Sequence, residues 1–125
     1  MKVSDFIMCK MYYLLIEYIR QLNFYFMSEY DSDCELYVDV YTMYYAYDFT
    51  ITSTAYGVTD NYKFTLNDDE LYNNDDEIVT LDTVLTDIYQ FAVNHTDNTN
   101  IKNNTNNNVP HIIFERAKKY LSTLF

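Results

Sequence analysis

The hydrophobic period of this chain switches from helical to two between Phe26 and Cys34, and that switch fixes the fold class. At 100° per residue, Asp5, Lys10, Glu17, Arg20, Gln21 and Asn23 gather on one side of a helical wheel. Ile7, Met8, Met11, Tyr12, Leu14, Leu15, Tyr18, Ile19, Leu22, Tyr25 and Phe26 lie on the other side, which predicts a long amphipathic helix over about residues 5–26, with Ser4 as its N-cap. From Cys34 the period is two. Cys34, Leu36, Val38 and Val40 share one strand face, and Glu35, Tyr37, Asp39 and Tyr41 share the other. After Tyr41 the parity flips to Met43, Tyr45, Tyr47, Phe49 and Ile51, which requires a bulge or a tight turn near residues 42–44. The one glycine, Gly57, and the cluster Thr59-Asp60-Asn61 mark the next turn, after which Tyr62, Phe64 and Leu66 alternate with Lys63 and Thr65. The expected fold is α+β. A small antiparallel sheet of about three strands packs against the N-terminal amphipathic helix and two C-terminal helices, in one domain spanning residues 1–125.

The tetrapeptide Asn-Asp-Asp-Glu occurs twice, at 67–70 and 74–77. Asn67 with Glu70, and Asn74 with Glu77, each fit a capping box in which Asn accepts a first-turn backbone N–H and Glu reaches back. Carboxylates in a first turn also meet the positive end of the helix dipole, worth about 0.3 to 1 kcal/mol each. The pattern therefore predicts a single helical turn over 68–72 and a helix over 75–94, carried by Ile78, Leu81, Leu85, Ile88 and Ala92. Residues 94–108, with eight Asn in fifteen positions, read as a flexible surface loop. Pro110 suits a first helical position with Asn108 as cap, and Ile113, Ala117, Tyr120, Leu121 and Leu124 form the stripe of a last helix. Arg116, Lys118 and Lys119 fall on its solvent side.

Charge narrows the functional classes. Residues 28–97 hold sixteen acids and one base, Lys63, a net of −15, whereas the two ends together carry seven bases and three acids. A field of that sign repels nucleic acid and anionic membrane and attracts cationic partners within a Debye length, about 8 Å at physiological salt. Codon drift toward A and T would raise Lys along with the abundant Tyr and Asn. Lys numbers only six beside thirteen Asn, so the negative charge reads as selected.

Little in the sequence points to catalysis. A single glycine rules out a Gly-rich phosphate loop of the usual form. Cys9, Cys34, His95 and His111 have no zinc-ligand spacing, and Asp31, Asp33 and Glu35 lack the glycine and twelfth-position glutamate of a calcium loop. No metal and no cofactor is expected. Cys9 and Cys34 read as reduced thiols, and charges at Asp5, Lys10, Glu17 and Arg20 interrupt the apolar N-terminus, so neither a signal peptide nor a membrane span is expected and the cytoplasm is the expected compartment.

The expected function is that of a small acidic binding protein, virus- or phage-encoded and not an enzyme. It would inhibit a basic, nucleic-acid-handling protein by presenting carboxylates where phosphates would sit, as an anti-defence or immunity protein does. In size and acidity the chain resembles nucleic-acid mimics, with no motif that assigns a family. The expected partner-binding residues are Asp31, Asp33, Glu35, Asp39, Asp68, Asp69, Asp75 and Asp76, with Tyr37 and Tyr41 supplying contact area beside them. The alternative is a self-associating viral structural or accessory protein, a homodimer through the N-terminal helix.

Overall fold

The computed structural model describes residues 3–44, 46–55, 57–95 and 108–121. The α+β class holds: an N-terminal helix, a five-stranded antiparallel sheet and two further helices. Helix α1 (Val3–Tyr30) is longer than the apolar stripe required, because the helix stops only where Asp31 turns left-handed, at φ 50°. There the Asp31 N–H reaches Met27 O at 3.0 Å and the Ser32 N–H reaches Phe26 O at 3.1 Å, which closes the C-terminus. Ser4 lies inside the helix rather than at its cap.

Strands β1 (Glu35–Met43), β2 (Ala46–Ala55), β3 (Val58–Asn67), β4 (Glu70–Tyr72) and β5 (Ile78–Val79) form a meander in sheet order one to five. Three strands were expected. The first three are those that the period of two marks, and the parity flip is a hairpin, with Met43 paired to Ala46. Ala55 pairs with Val58 around Gly57, at φ 78°, so Thr59, Asp60 and Asn61 belong to β3 and not to the turn.

The two additional strands come from the Asn-Asp-Asp-Glu repeat, and neither copy caps a helix. Asn67 pairs with Glu70 across a two-residue turn in which Asp68 is left-handed, at φ 56°. In the second copy Asn73, one position earlier than expected, accepts the N–H groups of Asp75 (2.9 Å) and Glu77 (3.0 Å), and Asp76 takes φ 60°. This Asx-type loop joins β4 to β5. Helix α2 (Leu81–His95) starts later than expected and is capped by Thr80, whose Oγ1 accepts the Thr83 N–H at 3.2 Å. Asn94 belongs to α2, and residues 96–107 of the expected Asn-rich loop lie outside the described residues. In helix α3 (His111–Leu121) the Pro110 carbonyl accepts the Phe114 N–H at 3.0 Å, so Pro110 rather than Asn108 stands at the helix boundary. The side chains of Tyr45, Tyr120, Leu121 and Leu124 lie outside the described residues.

The helices cover one face of the sheet. Met11, Leu15, Tyr18, Leu22 and Phe26 of α1 and Val84, Leu85 and Ile88 of α2 join Phe49, Ile51, Phe64 and Leu66 of the sheet in one core. Phe49 stacks on Phe64 at 5.0 Å between ring centroids, and Phe26 on Tyr89 at 5.8 Å. The Tyr18 hydroxyl, buried between the two helices, donates to Leu85 O at 2.6 Å and finds the partner a buried phenol requires.

Candidate functional site

Strict alternation along β2 separates two faces. Tyr47, Phe49, Ile51, Ser53 and Ala55 are buried, while the residues between them are half-exposed. Because residues directly opposite one another share a face, the register defines the outer face row by row. Tyr37 lies level with Thr52 and Asn61, Asp39 with Thr50 and Lys63, and Tyr41 with Asp48 and Thr65. Among the described residues no helix covers this face. It presents a threonine-lined centre flanked by Glu35, Tyr37, Asp39 and Tyr41, and its one base is Lys63.

The tyrosines hold some of these carboxylates in place. Glu35 accepts from the exposed Tyr37 hydroxyl, and Glu70 accepts from Tyr72 at 2.7 Å; each hydrogen bond raises the phenol's pKa, chiefly by favouring its protonated form. Asp48 accepts from Thr65 Oγ1 at 2.9 Å.

The ten expected binding residues do not form one row. Glu35, Tyr37, Asp39 and Tyr41 share the outer face of β1, as the alternation required. Asp31 and Asp33 lie in the connection leading into that strand, both exposed. Asp68 and Asp69 occupy the β3–β4 turn at the opposite end of the sheet. Glu35 is level with Thr59, eight residues from Asn67, so these groups are about 26 Å apart along the strands. Asp75 and Asp76 lie in the β4–β5 loop. Asp31, Asp68 and Asp76 are the three non-glycine residues with positive φ among those described, a backbone state that Asp tolerates and most residues avoid. Local geometry accounts for those three acids, and the β1 row is the group that shares one strand face.

One constellation was not visible in the sequence. Ser53, fully buried, stands between Cys34 and His95: its Oγ lies 2.7 Å from His95 Nδ1 and 3.2 Å from Cys34 Sγ. The contacts span 42 and 19 residues of sequence, and no local pattern joins them. A serine bonded to a histidine is the core of a nucleophilic pair, yet the Ser53 hydroxyl here is fully buried. His95 Nε2 has no partner among the described residues, so no described carboxylate orients the ring, and burial pushes the Cys34 thiol up, away from the reactive thiolate. The Phe91 ring stacks on His95 at 6.2 Å. Ser53 and Cys34 are buried and His95 is half-buried, so the cluster is a polar group at the margin of the core.

Among the described residues, no group of three or more His, Cys, Asp or Glu could hold a metal ion. No helix among them is long and apolar enough to cross a membrane. Compared with family models, curated proteins and solved structures, the chain matches none of them.

Proposed function

We propose that the protein is a non-catalytic, acidic binding module whose outer sheet face captures a basic, nucleic-acid-handling protein and inhibits it. The observation that carries this reading is the uncovered face of β1, where Glu35 and Asp39 alternate with exposed Tyr37 and Tyr41 in a chain of net charge −11. Carboxylates about 13 Å apart along an extended strand offer anchor points for lysines and arginines that otherwise grip phosphates. The tyrosines between them contribute contact area at low entropic cost. The role belongs to a virus- or phage-encoded anti-defence or immunity protein acting in the cytoplasm, the host's cytoplasm if viral.

The test is salt-dependent capture of a basic protein from host lysate, with release by competing duplex DNA. Glu35→Lys with Asp39→Lys should abolish capture and inhibition with the melting temperature nearly unchanged, whereas Asp68→Lys with Asp69→Lys, at the far turn, should leave both in place. Undiminished capture by the β1 double variant would refute the reading.

A second reading, self-association, has its own observation. Phe6, Tyr13, Phe24 and Met27 of α1 are exposed by 51%, 70%, 65% and 57% and lie within about 60° of one another on the helix. Sedimentation separates the two readings: a dimer insensitive to salt supports an apolar seam on α1, and a monomer at all salt concentrations removes it.

A further inference from the structure

The edge of β1 is built differently from the other strands. Asn23 of α1 reaches across to Leu36, donating from Nδ2 to the carbonyl at 3.1 Å and accepting the N–H on Oδ1 at 2.9 Å. The N–H and C=O of Leu36 therefore both point away from β2. In an antiparallel strand the residues at i+2 and i+4 point the same way, so the backbone groups of Val38, Val40 and Thr42 also face outward. None of these groups has a backbone partner among the described residues. Val38 and Val40 stand on the core parity yet are only half-buried, because nothing among the described residues lies beyond them in the sheet.

Beside this edge runs a groove of about 510 Å³, with Tyr12, Ile16, Ile19 and Asn23 of α1 on one wall and Leu36 and Val38 on the other. An unpaired strand edge alongside a helix offers both parts of strand addition: backbone hydrogen bonds along the edge and a wall for every second side chain. The opposite parity of an added strand emerges on the outer face, level with Glu35, Asp39 and the rings of Tyr37 and Tyr41. The cation on the groove wall, Arg20, is already paired with Glu17.

From this geometry we infer that the β1 edge receives an extended cationic segment of the partner as a sixth strand. Its Val, Ile or Leu side chains enter the groove beside α1, and its Lys or Arg side chains, at alternate positions, meet Glu35 and Asp39. The inference rests on the charge reading above and adds the mode of recognition, alternation rather than charge alone. A second copy of this chain fits the edge less well, since it brings another Glu35 and Asp39 row and another net charge of −11 to the same place.

The test uses a seven-residue peptide alternating Lys and Val. Its controls are a peptide of the same composition with the Lys and Val in blocks, and the alternating peptide N-methylated at every second residue on the side that pairs. Fluorescence anisotropy should show the alternating peptide binding at least tenfold tighter than either control. Val40→Pro, which removes an outward N–H where an edge strand tolerates the loss, should weaken binding at least tenfold with the far-ultraviolet circular dichroism unchanged. If that variant does not fold, the N-methylated peptide decides the matter on the native protein. Equal binding by all three peptides would overturn strand addition while leaving charge-driven capture standing. Absence of binding by any of them at low salt would overturn both. A dimer in sedimentation that Val40→Pro dissociates would assign the edge to a second copy and overturn the inference.

Discussion

Ser53→Ala tests whether the Ser53–His95–Cys34 cluster is structural. The hydroxyl bonds His95 Nδ1 at 2.7 Å and Cys34 Sγ at 3.2 Å from a site with no solvent exposure. Its removal forfeits two hydrogen bonds at about 0.5 to 1.5 kcal/mol each, the sulfur contact being at the low end, and strands the His95 ring nitrogen at about 1 to 3 kcal/mol. The expected loss is about 2 to 5 kcal/mol. His95→Phe on that background keeps a ring stacked on Phe91 and removes the stranded nitrogen, so the double variant should recover to within about 1.5 kcal/mol of the native protein. Urea unfolding followed by circular dichroism gives the stabilities, with unchanged m-values as the condition for comparing them. A loss under about 0.5 kcal/mol for Ser53→Ala, or simple additivity of the two single variants, would refute the structural role.

Two other predictions concern the helix start and the tyrosines. Thr80→Ala should cost about 1 kcal/mol by removing the α2 cap, whereas Asn74→Ala, at the position where the sequence places a cap, should cost less than about 0.5 kcal/mol; urea midpoints decide. Burial holds the Tyr18 phenol above its ordinary value of 10.0, and burial followed by the neighbouring Asp87 charge does the same for Tyr62. Because the folded values are raised, the stability they confer is complete below pH 10 and is lost as the pH climbs above it. Melting temperatures should fall as the pH rises above 10, and Tyr18→Phe should flatten that fall, by up to about 1.4 kcal/mol per pH unit.

Periodicity alone located α1 and the first three strands, because a wide apolar stripe or a strict alternation is satisfied in only one way when each face must be wet or dry. It also placed Glu35, Tyr37, Asp39 and Tyr41 together on an open face, and Tyr37 and Tyr41 are 49% and 60% exposed. The Asn-Asp-Asp-Glu repeat misled for a chemical reason. An Asn side chain accepts backbone N–H groups equally well at a helix N-terminus and in an Asx loop, so the local pattern serves both. The choice was made by Leu71 pairing with Val79, which recruits residues 78 and 79 into the sheet before α2 can begin.

Tertiary structure alone decided the rest. Alternation assigns a residue to a face but does not say which strand lies at the edge, so the outward backbone of Val38 and Val40 and the Asn23 bridge to Leu36 followed only from the packing of α1 beside β1. Nor does sequence spacing bring Ser53 to His95, or place Asp68 about 26 Å from Glu35. Secondary structure is set by neighbours a few residues apart, whose relative positions the backbone geometry already fixes. Sites are set by which distant faces share one core, and that depends on how the whole apolar surface is buried at once.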